Sequence, residues 1–133
     1  MVEIFLDPSG QGRGYYELEL SPAAVRFDAR FASPRSDLAA ARAWDSRVRA
    51  AVHVAGALTL GDSPPAPVRG WSAELAIPWV ALGATPAAGL RWRMNLYRLE
   101  THNRRGVAEG SAFSPPLRAD FHAVDRFGWL ELR

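Results

Sequence analysis

G-W-S-A-E-L-A-I-P-W-V-A-L-G, residues 70–83, is the stretch that decides the fold. Trp71, Ala73, Leu75 and Ile77 fall on one side of an extended chain, and Ser72, Glu74 and Ala76 on the other. This alternation is that of a half-buried strand. Pro78 ends the ladder because it has no N–H to donate. Residues 78–82 then read as a single helical turn, with Pro at its start and Gly83 as its stop. Strand, proline stop, turn and glycine follow one another with no reactive group among them.

The same alternation recurs outward from this stretch. Residues 2–7 set Val2, Ile4 and Leu6 against Glu3, Phe5 and Asp7. After the glycine-rich link 8–14, residues 15–20 set Tyr16, Leu18 and Leu20 against Tyr15, Glu17 and Glu19. Residues 24–31 place Val25, Phe27, Ala29 and Phe31 opposite Arg26, Asp28 and Arg30. Three alternating strands with short links predict an antiparallel meander.

Residues 32–45 break the pattern, and Ser36 onward reads equally as a capped helical turn or an ordered loop. Residues 47–56 are a strand with Val48, Ala50, Val52 and Val54 inward. Residues 61–70, with three Pro and two Gly, form a hairpin loop. Residues 90–97 form the strongest strand, with Leu90, Trp92, Met94 and Leu96 inward and Arg91, Arg93, Asn95 and Tyr97 outward. Residues 101–110 read as a polar, mobile loop, 111–114 as a short strand and 127–132 as the last one. The expectation is an all-β, antiparallel β-sandwich (jelly-roll-like), with one short helical turn after the central strand.

With 133 residues, 48% of them hydrophobic, the chain is one domain able to bury a core. No apolar run is long enough for a membrane helix, and residues 1–8 lack the features of a signal peptide. The chain has no cysteine, so disulfide and thiol chemistry are excluded. All 16 Lys+Arg residues are Arg, but they are scattered among 14 acids and the net charge is only +2, which argues against a nucleic-acid surface.

His53, His102 and His122 have no zinc-type spacing. His53 reads as a surface residue on a strand, and His122 as a hydrogen-bonded structural histidine with ligand contact as the alternative. No nucleophile elbow, P-loop or dinucleotide fingerprint is present, so a non-enzyme is expected. Asp7 heads either a plain turn or a structural calcium site; no other cofactor is expected. Five Trp is a high count, and most should fill the space between sheets. An exposed aromatic beside Arg, Asp or Glu suits a sugar, whose C–H face stacks while charged side chains take its hydroxyls.

The ordered segments V-E-I-F-L-D-P (2–8), G-Y-Y-E-L-E-L (14–20), V-R-F-D-A (25–29), A-A-V-H-V-A-G (50–56), G-W-S-A-E-L-A-I-P-W (70–79), W-R-M-N-L-Y-R (92–98) and F-H-A-V-D-R-F-G-W-L-E-L (121–132) resemble the family-9-like carbohydrate-binding modules of bacterial secreted proteins. The resemblance implies a β-sandwich with a non-catalytic sugar site, in an extracellular or periplasmic setting, often beside glycoside hydrolases. It also implies that the domain lacks the family's first strands, so that an open sheet edge would pair with a second copy. Of the two tryptophans that clamp the sugar in that family, one falls upstream of Met1 and the other corresponds to Phe121. The family's acidic contact matches Glu3, while a basic contact falls at Glu19, which reverses its charge. Arg105 and Arg118 lie near other polar contact positions. The expected carbohydrate site is thus Glu3, Arg118, Phe121, His122 and Arg105. The expected partners are a sugar and a second copy of the chain, with no nucleic acid or membrane. The alternatives are an assembly module that uses the open edge without sugar, and a haem-binding sandwich with Met94 or a His as axial ligand.

Overall fold

The computed structural model describes residues 1–59, 68–102 and 107–133; of the side chains of 101, 102, 107 and 108 nothing is stated. The described residues form eight strands: β1 (Val2–Asp7), β2 (Tyr15–Leu20), β3 (Arg26–Phe31), β4 (Arg49–Gly56), β5 (Val68–Ala76), β6 (Arg91–His102), β7 (Val107–Ala112) and β8 (Gly128–Glu131). All pairings are antiparallel. The larger sheet runs β3-β2-β1-β6-β7, and β8 also pairs with β6. β4 and β5 form a separate two-stranded sheet. The fold is an all-β, sandwich-like architecture of antiparallel sheets with only short helical turns.

The meander expected from residues 2–31 is present, with Ile4 opposite Leu18 and Leu18 opposite Asp28. The 70–83 stretch also folds as its sequence reads. β5 ends at Ala76, Pro78 is extended, Trp79–Leu82 is a 3₁₀ turn, and Gly83 is left-handed at φ 60. That conformation is costly for a residue with a Cβ, which explains glycine there. The break at residues 32–45 resolves into a helical turn, α1 (Leu38–Ala41), capped by the Asp37 carboxylate at the N–H groups of Ala39 and Ala40.

Two sequence expectations are corrected. The first concerns residues 101–110, read as a loop: β6 continues to His102 and β7 begins at Val107, so the hairpin extends the sheet on both sides of residues 103–106. The loop expected at 61–70 falls mostly outside the described residues, and its last three residues belong to β5. The second concerns the faces of the large sheet. Asn95 and Tyr97, expected outward, are buried, and on β2 Tyr15 and Glu17 are buried along with the opposite-facing Tyr16 and Leu18, whereas Leu96, expected inward, is 43% exposed.

The reason is that the large sheet is covered on both faces. On one, Leu6, Tyr16 and Trp92 pack with Leu82 of the 3₁₀ turn, and Ile4, Met94, Ile77 and Trp44 flank them. Met94 is thus a core side chain. Trp79 meets Trp92 edge-on. On the other face, Phe5, Tyr15, Phe31 and Tyr97 pack with Ala41 of α1 and with Val124 and Phe127 of the C-terminal segment. Period-2 alternation distinguishes the two faces of a strand but not whether a distant segment will cover the second.

Asn95 fastens that segment. Its Nδ2 donates to the carbonyl of Ser114 (2.8 Å) and to Tyr97 Oη (2.7 Å), and its Oδ1 accepts from the Ser114 N–H (2.9 Å). Tyr97 Oη in turn donates to the Phe121 carbonyl (3.0 Å). Asn95→Leu removes these bonds at a fully buried position and strands the Ser114 amide and carbonyl. A loss of about 2–4 kcal/mol is expected in urea unfolding, since each orphaned buried polar group costs about 1–3 kcal/mol.

Candidate functional site

The β1–β2 register places Glu3 opposite Glu19 and Phe5 opposite Glu17. On the other side of β1, Tyr97 stands opposite Glu3; beyond β2, Phe27 stands opposite Glu19. One row across four strands therefore reads Phe27, Glu19, Glu3, Tyr97: two carboxyls between two aromatics. Glu17, two residues before Glu19, projects from the same face. A carboxylate oxygen from each of Glu3, Glu17 and Glu19 lies within 4.8 Å of the other two.

Like charges directly opposite in a sheet repel, and here water is largely excluded as well. Glu3 and Glu17 are each only 5% exposed. Burial, followed by the neighbouring Glu19, pushes Glu3 up to about 7. Burial, followed by Glu19 and then Glu3, pushes Glu17 up to about 8. Glu19 is raised by burial. The Glu17 and Glu19 carboxyls lie close together, and Glu19 adds to the rise at Glu17. Glu3 has no hydrogen-bond partner or basic ion-pair partner among the described residues.

The C-terminal segment builds the wall above this row. The Phe121 ring lies flat on Tyr97, centroids 4.1 Å apart at 8°, and remains half-buried. Asp120 Oδ1 accepts from Arg35 Nη2 (2.6 Å) and from the His122 N–H (2.9 Å). Arg35 holds a left-handed backbone at φ 55, a strained position for a residue with a Cβ. Glu3, Glu17, Glu19, Arg35, Asp120, Phe121 and His122 together line a groove of about 480 Å³. A neighbouring space of about 400 Å³ continues past Phe27 and Phe31 toward α1.

Of the five residues expected from sequence, Glu3, Phe121 and His122 come together in this groove. His122 has mainly a structural position: its Nδ1 hydrogen-bonds Tyr15 Oη, and its ring meets Phe5 and Phe31 edge-on. Burial, reinforced by Arg35, lowers its pKa and favours the neutral imidazole. Arg118 is displaced from the groove, forming an exposed ion pair with Asp125 through Nη1 to Oδ2 (3.1 Å). Its left-handed neighbour Leu117 turns the chain there. Arg105 lies outside the described residues.

Sequence reasoning missed Glu17, Glu19, Arg35, Asp120 and Tyr97 as members of the site. The signal was available for the glutamates: Glu3, Glu17 and Glu19 share the outward parity of two strands joined by a short link. For Arg35 and Asp120, 85 residues apart, no local pattern exists. Two other candidates resolve simply. The Asp7 carboxylate is fully buried and accepts from the N–H groups of Ser9, Gly10 and Gly12 and from the Ser9 hydroxyl, which is a saturated turn. Trp129 is exposed, with Arg91 and Arg93 at 4.6 and 5.0 Å from its ring.

No family model matches the chain, and neither does any curated protein or solved structure. The geometry of the groove is therefore the ground for a functional reading.

Because Glu3 and Glu17 hold protons more tightly when folded, the stability they contribute is complete below about pH 4.5 and is lost as pH rises through 7 to 8. His122 acts in the opposite sense, but only below its ordinary 6.5. The unfolding free energy should therefore fall between about pH 5 and about pH 8, most clearly above pH 6.5, by an amount on the order of a few kcal/mol in urea unfolding. Glu17→Gln should flatten that fall and be more stable than the native chain at the upper pH.

Proposed function

We propose that this chain is a non-catalytic carbohydrate-binding module whose sugar lies in the groove between β1–β2 and the C-terminal segment. The observation that carries the reading is the half-buried Phe121 ring beside the Glu3, Glu17 and Glu19 carboxyls in one groove. An aromatic surface with convergent polar groups is what recognition of a sugar ring requires. Phe121 provides the platform, Glu3 and Glu19 the acceptors, and the Arg35–Asp120 pair an arm at the wall. The resemblance of residues 2–132 to family-9-like modules supports the same reading.

Titration with glucose, xylose, cellobiose and longer oligosaccharides, followed by amide NMR shifts, tests the reading. Saturable shifts at residues 3, 19 and 121, weakened roughly tenfold or more in Phe121→Ala, are expected. Absence of any response across these sugars and amino sugars would overturn it.

A second reading, an assembly module, is favoured by a different observation. A cleft of about 400 Å³ opens between β5 and the large sheet, lined by Trp71, Leu75, Val2, Ile4, Leu96 and Phe113. Among the described residues β5 pairs only with β4, so its other edge is available to a strand from a second copy. Under this reading light scattering detects a dimer, Leu75→Arg converts it to monomer, and sugars produce no shifts. A monomer at high concentration would remove it.

A further inference from the structure

The floor of the groove has a chemistry that a neutral sugar does not use. Glu3 is nine-tenths buried, points into the groove and has no hydrogen-bond or ion-pair partner among the described residues. Leaving a buried carboxyl without a partner is costly. Two further carboxyls converge on the same point, and the nearest lining guanidinium, Arg35, is committed to Asp120. The Met1 ammonium, which also faces Glu3 and Glu19, donates to the Leu99 carbonyl at 2.7 Å. The remaining groups at the groove are Tyr97, bonded to Phe121, and the neutral His122. The floor therefore carries three carboxyls, and the nearest cationic groups of the chain, Arg35 and the Met1 ammonium, are each bonded elsewhere.

The spacing of those acceptors suits a single cationic centre. A primary ammonium has three N–H donors in a tripod. Three charge-assisted bonds of about 2.8 Å in tetrahedral directions place their acceptors about 4.6 Å apart. The three glutamate oxygens lie within 4.8 Å of one another. The groove above them, about 480 Å³ with Phe121 in its wall, is far larger than an ion needs. We propose that the Glu3–Glu17–Glu19 triad seats the primary ammonium of an amino sugar whose ring lies along Phe121. This inference rests on the sugar reading and deepens it by giving the ligand a charge. Binding supplies Glu3 with a hydrogen-bond partner and releases to solvent protons that the carboxyls hold. The same burial that raises these carboxyls makes the site selective, because a neutral hydroxyl offers one donor where the ammonium offers three.

Isothermal titration of the whole chain at pH 7 distinguishes the outcomes. The probes are glucosamine, glucose, N-acetylglucosamine, Nα-acetyl-lysine amide and calcium chloride. Glucosamine should bind roughly tenfold or more tighter than glucose or N-acetylglucosamine, the margin of one charge-assisted bond. Glu19→Gln, at a partly exposed position, and Glu3→Gln should each bring glucosamine affinity down to that of glucose measured on the same variant, with melting curves confirming the fold. Equal binding of the three sugars would overturn the ammonium inference and leave the sugar reading intact. Calcium binding that displaces glucosamine would overturn it in favour of a metal site. Binding of the lysine derivative without glucosamine would overturn it in favour of a protein partner. No binding by any probe would overturn both readings.

Discussion

The buried amide of Asn95 is the constraint on which the site depends. It lies in the middle of β6, where the inward-facing pattern points to the opposite face, and it is fully buried. Its side chain reproduces, sideways, what a neighbouring strand would have supplied: a donor to the Ser114 carbonyl and an acceptor for the Ser114 N–H. Tyr97, two residues on, extends the same clamp to Phe121. Together they hold an irregular segment against the sheet, where its backbone would otherwise have no partners. Such polar networks stabilise a unique arrangement only when every member is satisfied, and here each polar atom of the Asn95 side chain has a partner. Without that clamp the second face of the sheet would be open, and the aromatic cluster around Phe5 would lose Val124, Phe127 and the His122 ring.

Covering that face is also what gives the glutamates their chemistry. On an open sheet, Glu3, Glu17 and Glu19 would be ordinary solvated acids. Under the segment carrying Asp120, Phe121 and His122, two of them lose most of their water and all three hold protons above the ordinary carboxylate range. Phe27 and Tyr97, at the two ends of the Glu19–Glu3 row, supply apolar walls but no countercharge. The fold tolerates this because protonation removes the repulsion, at the expense of stability at higher pH. A cationic group entering the groove would relieve the same strain in a different way.

The two layers on the large sheet contribute unequally. The 3₁₀ turn and the residues beside it provide a hydrophobic buttress through Leu82, Ile77 and Trp44, with the Trp44 indole N–H bonded to the Ala81 carbonyl at 3.2 Å. This side is framework, although the cleft beside β5 leaves Leu96 and Phe113 partly uncovered. The opposite side carries the ring cluster of Phe5, Tyr15, Phe31, Tyr97 and His122, and the groove opens at its margin. The strands β1 and β2 contribute to both layers, which is why both faces of these strands are largely buried.

The sequence alone determined most of the strands, the meander of residues 2–31 and the proline–glycine corner after β5, but not the β6–β7 extension through residues 101–110. These follow from period-2 alternation, from the missing N–H of proline and from the backbone freedom of glycine, all local properties. It also marked Glu3, Phe121 and His122, and in outline an all-β antiparallel sandwich. Tertiary structure decided which faces are buried, the inward roles of Asn95 and Tyr97, the placement of Arg118 outside the groove, and the meeting of Arg35 with Asp120. It also decided that Glu3, Glu17 and Glu19 converge. Contacts between residues 85 or more apart, such as Tyr15 with His122, have no local signature. They arise only when a segment with no regular structure of its own is fastened over a sheet by a buried amide.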